Sequence, residues 1–239
     1  MLVGIGAFVV GLRDRVIAEH EPASAAINPL GNDAVQPFGN FNGIGGPSVV
    51  VRAKKVAPSI VSVEGVGTGS GVVVSDDGVV ITSADLVGSL SEVQVTFEDG
   101  SMAFATNLGA DPTTRVAVLD VPDERLDSAR LKAPDATTMG KVVVLAGKGG
   151  DGQLRTALGT LESRQPAQSL GEVPSSMLQI DTDDPDLAAD FQGAAVLDAS
   201  GSVLGLATWS DDERFYIAPI DVARTVAADL LTVGASVSD

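Results

Sequence analysis

The sequence predicts an all-β fold finished by one C-terminal helix, and three observations carry that expectation. The Val-rich runs Ser70 to Ser75 and Gly78 to Thr82 flank Asp76-Asp77-Gly78, a hairpin signal because the turn needs positive φ and glycine supplies it without steric cost. Apolar residues alternate with polar ones in short runs such as Val93, Val95 and Phe97, bounded by turn residues. Late in the chain the spacing changes: Val222, Val226 and Leu230, with Ala223, Ala227 and Leu231, recur every three or four residues and form one apolar helical face.

Composition bounds the function. A chain of 239 residues can bury a core without crosslinks, and with 0 cysteines it has no thiol chemistry and no Cys-ligated metal. The net charge of −17 repels phosphate backbones, so no nucleic-acid partner is expected. Between Glu172 and Phe215 ten acids stand against one cation, Arg214, which reads as a solvated face or as a surface for a basic partner. The single histidine, His20, lies in a linker-like stretch. Imidazole is the usual general base near neutral pH, so chemistry that depends on it is not expected in the folded domain.

Residues 1–17 open with the apolar run Leu2 to Leu12, closed by Arg13-Asp14-Arg15. It is shorter than the roughly 20 residues that span a bilayer. Three readings fit: the end of a membrane helix that starts upstream, a degenerate anchor, or a core helix. The first is favoured because residues 18–48, rich in Pro, Gly, Asn and Ala, read as a linker directly after it. Phe38 and Phe41 are the linker's only aromatics, either incidental or a docking point.

Residues 49–134 form the first β-unit. Ile60 to Glu64, the hairpin, Glu92 to Phe97 and Met102 to Leu108 read as strands, with a turn at Glu98-Asp99-Gly100-Ser101. Residues 135–218 form the second, where Met177 to Asp181 reads as a short strand and Gly140 to Gly147, Thr156 to Ser163 and Phe215 to Ile220 resemble strands of a known family. The helix is placed at 219–233, where Pro219 and Asp221 suit its start and Gly234 its end.

Five collinear motifs then carry a resemblance. Gly69-Ser70-Gly71 and the hairpin ending Thr82-Ser83-Ala84-Asp85-Leu86-Val87, Gly109-Ala110-Asp111-Pro112-Thr113-Thr114-Arg115-Val116-Ala117-Val118-Leu119, Gly140 to Gly147, Gly201-Ser202-Val203-Leu204-Gly205-Leu206, and Phe215 to Ile220 follow one another in the order of HtrA-like (DegP-like) serine proteases. The resemblance covers Val56 to Leu231. It implies the trypsin-like pair of six-stranded antiparallel β-barrels with a C-terminal helix. The expectation is a chain without the PDZ domain that many of these proteins carry after that helix.

The resemblance also locates the catalytic positions. The general base falls on Asp85, the orienting carboxylate on Arg115, the nucleophile on Gln192 and the oxyanion glycine on Asp190. A serine hydrolase of this fold needs a hydroxyl, an imidazole, a carboxylate and preorganised N–H donors. With those side chains replaced, the expectation is no enzyme: a pseudoprotease with no catalytic residues, no cofactor and no metal. It would act as a membrane-tethered extracytoplasmic domain that binds or scaffolds a protein or peptide, alone or in a larger membrane complex. The competing expectation is a hydrolase with a rearranged site using Ser83 or Thr82. Asp85 and Arg115 either face one another as an ion pair or have drifted independently.

Other features read as structural. Asp181, Asp183, Asp184 and Asp186 lack the spacing, glycine and closing glutamate of a calcium loop. Gly147-Lys148-Gly149-Gly150-Asp151-Gly152 lacks the Ser/Thr that follows the lysine of a phosphate loop and reads as a turn. Trp209 and Tyr216 flank an acidic turn as hairpin neighbours.

Overall fold

The computed structural model describes residues 36–37, 46–122, 126–162, 177–182, 191–210 and 215–237. All of them fall in Asp33–Asp239, one of the two compact units into which the chain divides. The other unit, Met1–Asn32, lies outside the described residues, and with it the expected anchor and His20. Phe38 and Phe41 also lie outside them. Among the described residues no helix is long and apolar enough to cross a membrane.

The chain enters through β1 (Gln36–Pro37), α1 (Gly46–Val56) and a single 3-10 turn, Ala57–Ser59. Neither β1 nor α1 follows from the sequence pattern, since both begin in the stretch read as a linker. The valines of α1 have β-propensity, but from Arg52 onward the helix sets Ala53 and Val56 against the barrels as buried residues.

Six strands close the first barrel: β2 (Ile60–Glu64), β3 (Thr68–Val73), β4 (Val79–Ser83), β5 (Glu92–Thr96), β6 (Met102–Asp111) and β7 (Val116–Asp120), in the order β2-β3-β4-β7-β6-β5, with β5 returning to β2. The hairpin forms where expected. Gly78 takes φ 98°, and Val74 N–H donates to the Val79 carbonyl at 2.9 Å to close the loop. A short helix, α2 (Ala84–Val87), leaves the end of β4, capped by Ser83, whose hydroxyl oxygen accepts from Asp85 N–H. The motif after Gly109 extends β6 beyond its expected end at Leu108, through an irregularity between Asn107 and Gly109.

The second barrel holds β8 (Val142–Lys148), β9 (Leu154–Glu162), β10 (Leu178–Asp181), β11 (Ala195–Leu197), β12 (Val203–Ser210) and β13 (Phe215–Pro219). They run in the order β9-β10-β13-β12-β11-β8, and β8 pairs back to β9. β1 adds in parallel to β9 at Arg155 and Thr156. The closing helix α3 (Ile220–Val237) starts directly after β13. It buries Ala223 and Ala227, with Val226 and Leu230 packed against the same core. Leu231, expected on that face, is exposed instead.

Strand alternation divides the apolar residues into three cores. Val63, Val80, Val95, Ala117 and Leu119 fill the first barrel. Leu145, Leu161, Ile180, Phe191, Leu204 and Ile217 fill the second. The opposite faces of the same strands, including Val72, Ile81, Val118, Ala146, Ala195 and Leu206, meet in a third core that α1 and α3 also enter. This shared layer fixes one barrel against the other, and the candidate site sits along its polar rim.

Candidate functional site

Asp85 and Arg115 are brought together by backbone, not only by charge. Asp85 stands in the first turn of α2, at the end of β4. Arg115 ends the turn Asp111-Pro112-Thr113-Thr114-Arg115, which leads from β6 into β7. Asp111 ties that turn, its carboxylate accepting from Thr114 N–H at 2.8 Å and from Thr114 Oγ1 at 2.6 Å. Burial works against the charge on Asp111, but the Thr114 hydroxyl and N–H outweigh it and hold the carboxyl below its usual range. Arg115 N–H donates back to the Asp111 carbonyl at 2.9 Å, and the Arg115 carbonyl accepts from Ala84 N–H at 2.7 Å. This places Arg115 beside α2 with φ 56°, the one positive φ outside glycine among the described residues. Arg115 Nη1 then donates to Asp85 Oδ2 at 3.1 Å, with the two side chains 36% and 44% exposed. At that exposure the pair orients two side chains and adds little stability.

Thr208 of β12 connects both partners to the second barrel. Its hydroxyl donates to the Thr114 carbonyl at 3.0 Å, and its carbonyl accepts from Ser83 Oγ at 3.3 Å. One buried residue therefore holds the segment before Arg115 and the segment before Asp85. The next residue back along β12, Ala207, accepts from Gly193 N–H at 2.7 Å, which fixes the loop that carries Gln192.

Gln192 is tied from the other side by β3. Its carbonyl accepts from Ser70 N–H at 2.8 Å. Ser70 Oγ in turn accepts from Lys148 N–H at 2.8 Å and donates to the Lys148 carbonyl at 3.2 Å, and the Ser70 carbonyl accepts from Thr82 Oγ1 at 2.6 Å. Gly193, with φ 74°, packs so closely on this junction that a Cβ there would collide with the Ser70 carbonyl. The side-chain oxygen of Gln192 is buried and has no hydrogen-bond partner among the described residues. Asp190, the expected oxyanion position, lies outside the described residues, as do Asp183, Asp184 and Asp186.

The arrangement thus gathers Asp85, Arg115 and Gln192 along one seam, and supplies an ion pair and an unsatisfied buried acceptor. The hydroxyls of Thr82 and Ser83 are 0% exposed and donate to the Ser70 and Thr208 carbonyls. Among the described residues no group of three or more His, Asp or Glu is placed to hold a metal ion. The Gly149 to Gly152 stretch is a turn, closed by Gly152 N–H on the Gly149 carbonyl at 2.9 Å. Trp209 and Tyr216 are partners in the β12–β13 register.

Thr208 was not singled out by the sequence, and Ser70 and Lys148 entered it only as members of a motif and of a glycine-rich turn, without the contacts they make here. Their one signal is a polar residue inside an apolar or glycine-rich run. Lys148 is 1% exposed, and its Nζ donates to the Ala57 carbonyl at 3.0 Å, in the 3-10 turn that follows α1.

Comparison with known proteins bears on this seam. Residues 69–206 match the family model described as trypsin-like peptidase domain. The putative serine protease HhoB of Synechocystis sp. is 31% identical over 171 residues, 70% of this chain and 41% of the relative. The mitochondrial serine protease HTRA2 of Bos taurus is 29% identical over 203 residues, 78% of this chain and 43% of the relative. The chain spans about half, or less, of the curated relatives it matches. Among solved structures, the HtrA-type protease AlgW with tripeptide superposes with TM-score 0.67 at 22% identity, over 79% of this chain and 65% of that one. The serine endoprotease from Yersinia pestis gives 0.62 at 22%, over 77% and 67%.

These findings correct the expectation of no enzyme. The relatives are named serine proteases and endoproteases. Three side chains specify one mechanism, whereas the paired barrels that frame the seam are those of the trypsin-like peptidase fold. The chain belongs to the trypsin-like peptidase domain family, with HtrA/DegP-type serine proteases as its homologues.

Proposed function

We propose that this HtrA-type domain engages polypeptide as an added strand beside Gln192, at a membrane surface on the extracytoplasmic side, as a binding or scaffolding unit. The observation that carries the reading is the buried Gln192 side-chain oxygen, which has no donor among the described residues. A buried acceptor left unpaired costs about 1–3 kcal/mol, so the site favours an incoming N–H. A polypeptide backbone presents such donors at every second residue along an edge. The edge is at hand at Trp209 and Ser210: both pair with β13, whereas β12 pairs with β11 only to Leu206, and the Ala207 backbone and the Thr208 carbonyl are taken by Gly193, Ala194 and Ser83. The membrane location is supported by the apolar run Leu2 to Leu12 followed by a Pro/Gly-rich stretch.

The test uses the full chain and fluorescein-labelled unstructured casein, read by anisotropy, with gels of the same samples. Binding by the wild type that falls severalfold in Gln192→Leu supports the reading. Equal affinity in both overturns it. Protease added outside sealed cells should digest the domain; protection would remove the extracytoplasmic placement.

A second reading, peptide-bond hydrolysis, is favoured by the names of the relatives. It would have to use a hydroxyl such as Ser83. Casein fragments and labelling by a fluorophosphonate, both lost in Ser83→Ala, would establish it, and their absence would remove that residue from consideration.

A further inference from the structure

We infer that the outer face of β5 and β6 in the first barrel is a docking surface for a cationic polypeptide segment with an apolar anchor. The inference goes beyond the reading above, because this face shares no residue with the Asp85–Gln192 seam. Among the described residues, Met102 and Phe104 are the two most exposed large apolar side chains, each 67% exposed. Two residues apart on β6, they point to the same side of the sheet. Single exposed apolar residues are ordinary on a protein surface; here two stand side by side on one face of the sheet, and one of them is aromatic.

Strand register shows what surrounds them. Phe104 lies opposite Gln94 of β5, and Gln94 lies opposite Glu64 of β2. Gln94 Nε2 also donates to Met102 Sδ at 3.4 Å, which holds the methionine beside the same row. One step along, Thr106 lies between Glu92 and Asp120. At the other end the turn from β5 to β6 carries Glu98 and Asp99. Carboxylates therefore border the apolar pair on both sides.

The first barrel supplies no cation to balance them. From Ile60 to Val121 the sequence holds nine acids and one Lys or Arg, and that one, Arg115, is paired with Asp85. The field of Lys148 reaches Glu98 and Asp99, but its ammonium is buried on the Ala57 carbonyl and does not enter this face. A face that is apolar at its centre and anionic at its rim is complementary to a segment that presents an aliphatic side chain between lysines or arginines. A partner cation can also lie over the Phe104 ring. The same charge opposes an anionic lipid surface and a second copy of this acidic chain.

The probe is a labelled peptide of about 12 residues alternating Lys and Leu, titrated with the full chain by anisotropy, with Lys–Ser and Glu–Leu peptides as controls. The Lys–Leu peptide should bind, and the double variant Met102→Ser/Phe104→Ser should weaken it about tenfold or more. Glu98→Gln/Asp99→Asn should weaken it severalfold at low salt and flatten its salt dependence between about 50 and 500 mM. The loss caused by Met102→Ser/Phe104→Ser should be as large in a Gln192→Leu background as in the wild type, which separates this surface from the seam. An unaltered thermal midpoint in the double variant shows that the fold is intact. Undiminished binding by that variant, or equal binding of the Glu–Leu or Lys–Ser peptide, would overturn the inference. So would self-association, seen by light scattering, that the double variant abolishes.

Discussion

Arg115 Nη1 and Asp85 Oδ2 lie 3.1 Å apart at the entrance to the seam between the barrels, and the arginine reaches that position only by adopting φ 56°. The contact and the backbone conformation oppose each other energetically. An exposed pair contributes about 0–1 kcal/mol, whereas a left-handed conformation costs a non-glycine residue roughly 1–2 kcal/mol. Asp85→Ala should therefore destabilise the domain by less than about 1 kcal/mol, and Arg115→Gly should be neutral or stabilising. Urea midpoints of the two variants check this. A large loss in Arg115→Gly would mean that the guanidinium holds the turn by more than the ion pair.

Gly193 and Gly100 separate backbone conformation from packing. Both have positive φ, 74° and 82°, but a Cβ on Gly100 meets nothing within 4 Å, whereas one on Gly193 collides with the Ser70 carbonyl. Gly100→Ala should cost only the conformational term, about 1 kcal/mol. Gly193→Ala should cost about 3 kcal/mol or more and lower Tm by on the order of 10 °C, since Ser70 must move and release Gln192 and Lys148 with it. Similar Tm values for the two variants would show that the Ser70 junction is not rigid.

The legible parts of the chain were those set by neighbours in sequence. The Asp76-Asp77-Gly78 hairpin, the alternation of β5 and the spacing of α3 need only a few adjacent residues to be recognised. The ion pair was legible as one of two alternatives, because the motifs that place Asp85 and Arg115 are themselves local. The seam was not. Ser83 and Thr208 are 125 residues apart, Thr114 and Thr208 are 94 apart, and Lys148 and Ala57 are 91 apart. A threonine or lysine in an apolar run gives no sign of which distant carbonyl it serves. The first helix was hidden for a related reason: the valines at its start favour a strand locally, and only packing against the barrels decides for a helix.

Acid should loosen the turn between β11 and β12 only once the pH approaches 2. Burial opposes ionisation of Asp198, but the Ser200 hydroxyl, Ser202 N–H and the Lys132 ammonium outweigh it and hold the carboxyl down at about 2. Lys132 Nζ lies 3.1 Å from Asp198 Oδ2 and ties the connection between the barrels to this turn. A depressed native pKa means the unfolded chain binds the proton more readily. The stabilisation is present above about pH 4 and is lost as pH falls toward 2; with solvent screening it amounts to at most about 2 kcal/mol. Asp198→Asn should lower stability at pH 6 and converge with the wild type near pH 2. Parallel urea midpoints at all pH values would show that Asp198 has no such role.

Alkali should act in the opposite direction at Lys148. Burial lowers the pKa of its ammonium, while Glu98 and Asp99 act to raise it. Its native pKa lies below the unfolded 10.5, so between those two values the unfolded state binds more protons and stability rises with pH. Replacing a buried charge by an apolar side chain of similar length is often neutral or stabilising. Lys148→Met should therefore be at its most favourable relative to the wild type at low pH, and its advantage should shrink as pH rises toward 10.5. Other groups titrate in the same range, so the quantity to measure is the difference between the two proteins in urea. A difference that stays flat across this range would show that the ammonium carries no burial penalty and that the Ala57 carbonyl satisfies it fully.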